Sequence, residues 1–197
     1  MRVYTKEEAK ARINFLANAG KPFVFIINYK QDGSYIEETN KINPEELRYN
    51  LNGYTNCQDF TTSREINSSF LWQPHPTPFT RYHHSFNIVR GNILAGNSFL
   101  TNLTCSTPIS TNLTLEEIFY QSKAPYKLWI KNNFVCFSPE IFVRILKGKI
   151  FAYPMKGTID ANTPNAKKIL MNDPKEIAEH ATITDLIRND LSIVAEQ

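Results

Sequence analysis

The chain of 197 residues carries 22 Lys and Arg against 19 Asp and Glu, a net charge of +3, with 42% hydrophobic and 12% aromatic content. That is enough apolar material for one sizeable core, and too even a charge balance for a disordered chain, a nucleic-acid binder or a membrane-surface protein. Cys57, Cys105 and Cys136 are odd in number and lack a C-x-x-C spacing, there is no apolar leader, and no run approaches the length needed to span a bilayer, so a cytoplasmic protein with reduced thiols and no zinc is expected.

Thr5-Lys-Glu-Glu8 has the spacing of a capping box and predicts a first helix that Gly20 ends. The apolar run Pro22 to Tyr29 predicts a buried strand, with Asp32-Gly33 turning it into a hairpin. Residues 39–69, rich in Asn, Thr and Ser, are expected to be irregular with short elements. Trp72 to Pro78 holds three prolines and His75 and reads as a rigid connector. Tyr82, Phe86, Val89, Ile93 and Leu94 recur at near-helical spacing and predict a helix over 79–95. On it, the adjacent His83 and His84 point about 100° apart, which suits a polar face better than a shared metal. A strand over Ser98 to Thr104 and a capped helix over Thr114 to Gln121 follow. Two hairpins then come, Tyr126 to Ser138 turning at Asn132-Asn133 and Ile141 to Tyr153 turning at Lys147-Gly148. Hairpins interleaved with helices give an α+β class.

The final segment is the most informative. Asp173 can cap free amides, Pro174 suits a first helical position, and Glu176 stands three residues after the cap, so a helix is predicted from here to Leu191. Glu176 and Glu179 lie one turn apart and can converge on a divalent cation or its waters. Capping offers Glu176 another use, reaching back to the Asp173 amide. Glu179 has no capping position, and Ile177, Ala178, Ala181, Ile183, Leu186 and Ile187 surround it with apolar surface, so its carboxylate needs solvent or a partner. It is the better metal candidate. Upstream, Pro154-Met-Lys-Gly-Thr158 puts Lys156 on a glycine-containing turn. A lysine together with paired carboxylates suggests a site for an anionic substrate.

Four stretches carry a resemblance: Gly91 to Leu103, Phe137 to Phe142 (Phe-Ser-Pro-Glu-Ile-Phe), the Pro154 to Thr158 turn, and Asp173 to Leu191. Together they resemble the chorismate-utilising enzymes, which include aminodeoxychorismate synthase component I, anthranilate synthase component I, and the isochorismate and salicylate synthases. The resemblance implies an α+β fold of two antiparallel sheets flanked by helices. A lysine in the third place of Pro-x-x-Gly-Thr is similar to the aminodeoxychorismate synthases, whereas anthranilate synthases carry alanine there. This implies 4-amino-4-deoxychorismate formation on the way to para-aminobenzoate and folate, with anthranilate synthase or another chorismate enzyme as the alternative.

In that scheme Lys156 attacks the chorismate ring as the 4-hydroxyl departs, Glu140 is the general acid, Gly157 and Thr158 bind substrate, and Glu179 and Glu176 hold Mg2+. The residue types suit the chemistry. A lysine is nucleophilic only as the free amine, which needs desolvation or a nearby cation, and a carboxylic acid protonates a poor leaving group best in apolar surroundings, here offered by Phe137 and Phe142. The resemblance also implies a separate glutamine amidotransferase as ammonia source, since no Cys-His-Glu constellation of that kind is present. It implies further that residues 1–197 are the N-terminal part of a single, longer chorismate-binding domain. A second metal-binding glutamate, a Gly-Ala-Pro-Lys segment and a glycine-rich carboxylate-binding loop are expected outside them, so this part alone is expected to be inactive. Leu100 occupies a position where relatives carry glutamine or a water-activating lysine, and it cannot activate water, which favours amination. His180, Asp185, Arg188, Asn189 and Asp190 match the family motif but are expected to form ion pairs along the helix.

Overall fold

The computed structural model describes residues 1–57 and 70–196. In chain order its elements are α1 (Lys6–Asn18), β1 (Phe23–Ile27), β2 (Ser34–Glu38), β3 (Leu47–Leu51), β4 (Tyr54–Thr55), β5 (Trp72–Pro74), α2 (Phe79–Leu94), β6 (Ile109–Thr111), α3 (Leu115–Gln121), β7 (Tyr126–Ile130), β8 (Phe134–Ser138), β9 (Arg144–Leu146), β10 (Lys149–Phe151), α4 (Ala166–Asn172) and α5 (Pro174–Ser192). They divide into two units, one of residues 1–57 with 123–196 and one of residues 70–122. All strand pairings are antiparallel, so the expected α+β class holds. The expectation for residues 39–69 falls partly on 58–69, which lie outside the described residues.

In the first unit the capping box at Thr5 is complete. The Thr5 amide donates to the Glu8 carboxylate at 2.9 Å, the Thr5 hydroxyl accepts from the Glu8 amide, and Gly20 ends the turn after α1 at φ +63°. β1 and β2 form a two-stranded ribbon with apolar side chains on both faces. Phe23 and Ile36 pack against Ala9, Ile13 and Leu16 of α1. Val24, Ile26 and Tyr35, one residue out of phase, pack against Ile42, Leu47, Tyr49 and Ile130. The expected buried strand is thus only partly buried: Phe25 is 55% and Ile27 47% exposed, on the part of the ribbon's face beyond Phe23 that α1 leaves open.

The second layer is a sheet of order β4-β3-β7-β8, with Leu47 opposite Ile130 and Tyr49 opposite Leu128. β3 is one of the short elements expected within residues 39–69. Arg48 interrupts its apolar pattern, yet its guanidinium is buried 4.9 Å over the Trp129 ring while Nε donates to the Pro44 carbonyl at 2.8 Å. The β7–β8 hairpin turns at Asn132, φ +55°, as predicted. The β9–β10 hairpin turns through Lys147 and Gly148, both at positive φ, and is shorter than predicted. α4 has no counterpart among the predicted elements.

In the second unit the proline-rich stretch forms an edge ribbon, with Trp72 opposite Thr111 and Pro74 opposite Ile109, where a proline lacking an N–H is tolerated. The predicted strand over Ser98 to Thr104 does not form. There the Ser98 hydroxyl donates to the Leu100 carbonyl, a local bond that competes with a ladder. α2 and the capped α3 stand where predicted, and His83 and His84 are both exposed. The three cysteines are free thiols. Among the described residues no helix is long and apolar enough to cross a membrane.

Glu38 closes the ribbon's end. Its carboxylate lies in an almost solvent-free position, 2.6 Å from Lys41, 3.3 Å from Lys21 and 3.7 Å from Arg12. The Lys41 hydrogen bond, then Lys21, hold its pKa below the ordinary glutamate value against the opposing effect of burial.

Two outcomes test this layering. Ile36→Ala removes a fully buried side chain between α1 and the ribbon and costs about 2–5 kcal/mol, whereas Phe25→Ala, at an exposed position, costs at most about 1 kcal/mol in the same urea titration. Because the Glu38 carboxyl is held down in the folded state, its contribution is fully present above the unfolded pKa of about 4.3 and is lost as pH falls through the folded value. Glu38→Gln therefore lowers the Tm at pH 7 and flattens its fall between about pH 5 and pH 3.

Candidate active site

Two segments of the first unit carry most of the candidate residues: the irregular stretch 152–160 leaving β10, and the first turns of α5. The Asp173 side chain accepts from the amides of Lys175 at 2.9 Å and Glu176 at 3.1 Å, and its own amide donates to the Leu170 carbonyl at the end of α4. With that amide already satisfied, Glu176 does not complete a capping box. Its carboxylate turns the other way.

Glu176 Oε1 accepts from Lys175 Nζ at 3.2 Å, and Oε2 rests against the turn that carries Lys156. Gly157 there has φ +83°, and a Cβ added to it would stand 2.7 Å from Glu176 Oε2 and 3.0 Å from Leu170 Cδ1. Glycine is required at this position twice over, by its backbone and by the carboxylate beside it. Glu179 Oε1 lies 3.3 Å from the same Lys175 Nζ, so two carboxylates one turn apart gather about a single positive charge. Their hydrogen bonds, Glu176's first, raise the pKa of the Lys175 ammonium. Hard oxygen donors that converge on one cation fit magnesium, which binds through one or two carboxylates and keeps several waters. Among the described residues no group of three or more His, Cys, Asp and Glu side chains gathers to hold a metal, so no third donor of these types joins the pair.

Lys156 and Thr158 are exposed, and among the described residues the Lys156 ammonium has no hydrogen-bond or ion-pair partner. Glu140 is exposed as well. Ser138 shapes its backbone, the hydroxyl donating to the Glu140 carbonyl at 2.7 Å and accepting from its amide at 3.2 Å. The apolar cover expected from Phe137 and Phe142 does not form, since β8 is an edge strand that turns Phe137 partly outward and Phe142 beyond it is 89% exposed. Gly157, Glu176 and Glu179 are therefore brought together, while no hydrogen bond or ion pair joins Glu140 to them.

Asp185 and Arg188 form the expected ion pair along α5, at 2.6 Å. Leu100 lies in the other unit and is exposed. Surface grooves occur among the described residues of the first unit. One of about 490 Å³ runs past Ile150, Pro154, Ile187 and Arg188, and one of about 620 Å³ past Ala161, Lys167 and Met171; neither is lined by Lys156, Glu140, Glu176 or Glu179. The residue overlooked in the sequence is Lys175. Its signal was present, a lysine beside one glutamate and one turn before the other.

The family described as chorismate binding enzyme matches residues 5–197. An "Uncharacterized PabA-like protein" of Haemophilus influenzae is 45% identical over 175 residues, 89% of this chain and 52% of that protein. "Aminodeoxychorismate synthase component 1" of Salmonella typhimurium is 29% identical over 136 residues, 63% of this chain and 30% of that protein. "Anthranilate synthase component 1" of Leptospira biflexa is 32% identical over 120 residues, 53% of this chain and 25% of that protein. The chain spans about half the length of the first of these relatives. No solved structure matches it.

The contact at Gly157 makes a direct forecast. Gly157→Ala forces both a strained φ and a displaced Glu176 carboxylate, so thermal unfolding shows a loss of about 1–3 kcal/mol. Gly96→Ala, also at positive φ but with open space around it, shows the backbone part of that loss alone.

Proposed function

Because the chain belongs to the chorismate binding enzyme family, we propose that the enzyme it belongs to aminates chorismate at the 4-position, as an aminodeoxychorismate synthase component I. One observation carries this reading. Lys156, the residue type that separates amination from anthranilate formation in the resemblance, stands on a turn whose next residue, Gly157, lies against the carboxylate of Glu176.

In the proposed reaction the Lys156 amine forms a C–N bond to the chorismate ring, and the 4-hydroxyl leaves as water with a proton from Glu140. Ammonia from a glutamine amidotransferase partner then bonds at the 4-position and displaces the lysine. Thr158 and the Gly157 backbone offer polar contacts to substrate, and Glu179 with Glu176 would hold magnesium. When bound, that ion supplies positive charge for the substrate's carboxylates and favours the neutral form of a nearby amine. Glu176 meanwhile holds the position of the turn. Glu140 and Lys156 are exposed, so closure against substrate has to supply the dry surroundings their roles require. A second reading, anthranilate synthesis, draws on the relatives of that name. Lys156 in place of alanine favours the first.

Incubating the enzyme with chorismate, magnesium and ammonia yields 4-amino-4-deoxychorismate by mass and chromatography; release of anthranilate instead overturns the assignment. Lys156→Ala abolishes turnover with an unchanged melting curve, because an exposed turn lysine adds little to stability. Glu140→Gln slows turnover about 100- to 10,000-fold, and Glu179→Gln removes its dependence on magnesium. Residues 1–197 alone bind magnesium weakly and show no turnover.

A further inference from the structure

We infer that Lys175 is a built-in counter-ion of the Glu176–Glu179 pair, holding the place between the two carboxylates that a divalent cation must take and leaving it when that cation binds. The inference rests on the proposed reading of Glu176 and Glu179 as the cation-binding carboxylates. One ammonium reaches both, at 3.2 Å and 3.3 Å, from a position one residue before the first and one turn before the second. It bridges the opening a dication would enter. Two positive charges cannot share that opening, so one of them is displaced.

The mobility of the parts decides which side chain moves. The Glu176 side chain is only 20% exposed and its carboxylate rests against the Gly157 turn, whereas the Lys175 side chain is 73% exposed. The ammonium therefore swings out into water while the carboxylate stays seated. Exposed ion pairs are weak, so the lysine lowers the affinity for a divalent ion without abolishing it. In the metal-free state it also neutralises the repulsion between two carboxylates one turn apart, which keeps Glu176 against the turn that carries Lys156.

The test titrates Mn2+ into the protein without substrate, following free Mn2+ by electron paramagnetic resonance, with Mg2+ as competitor. Lys175→Met tightens Mn2+ binding about three- to tenfold, the scale of one or two exposed ion pairs. Lys175→Arg, which keeps the charge, leaves binding weak. Lys10→Met, which removes an exposed lysine paired 3.0 Å from Glu7 on α1, leaves it unchanged and so accounts for net charge alone. Glu176→Gln and Glu179→Gln each weaken binding. If those two variants weaken it but Lys175→Met leaves it unchanged or weaker, the counter-ion role is overturned and the cation site stands. If the glutamate variants have no effect, or if neither the native protein nor Lys175→Met binds Mn2+, the cation site itself is overturned and the inference falls with it.

Discussion

A two-stranded ribbon with apolar side chains on both faces is stable only when both faces are covered, and the β1–β2 ribbon imposes that condition on everything around it. Phe23 and Ile36 require α1 on one side; Val24, Ile26 and Tyr35 require the β3–β7 pair on the other. The strands of that pair are far apart in sequence, since β3 ends at Leu51 and β7 begins at Tyr126. The ribbon thus drives a long-range closure, and Glu38 with its three cations seals one end where two strands cannot shield themselves.

The candidate site is held by different means. No residue of α4 or α5 is buried, so these helices owe their placement within the unit to a few specific contacts and not to a core. Asp173 ends one helix and caps the next, and the Glu176 carboxylate fills the space that Gly157 leaves open. This division of labour suits a site that has to admit a charged ligand: the rigid layers lie elsewhere, and polar atoms stay within reach of water.

Features that depend on a few neighbouring residues were legible in the sequence. The capping boxes at Thr5 and Thr114, the Asp173 cap and the positive-φ turns at Asn132 and Lys147-Gly148 follow from side chains that satisfy nearby amides or tolerate a left-handed backbone. What was missed depends on distant partners. β5 becomes a strand because β6 pairs with it, despite a proline in its sequence, and β3, in a stretch where short elements were expected, takes its register from β7. Ser98 to Thr104 has strand-like composition and no partner strand among the described residues. At the site, the glutamate pair was legible from its spacing, whereas the lysine between its members and the contact with Gly157 emerge only once two segments meet. The apolar surroundings expected for Glu140 failed for a related reason, since phenylalanines two and three residues away shield a carboxylate only if they are themselves packed against it, and Phe137 and Phe142 are exposed.

Positions 157 and 176 share one small volume. Enlarging the first residue encroaches on space that the second already fills, and shortening the second opens a void that the first is too small to fill. Neither can drift freely by itself, so an engineer who wishes to alter the turn has to redesign both together, and has to change the backbone at position 157 as well as the space beside it. Variation at one of these sites in a library of functional variants is accordingly informative about the other, even though the two lie on separate segments of the chain.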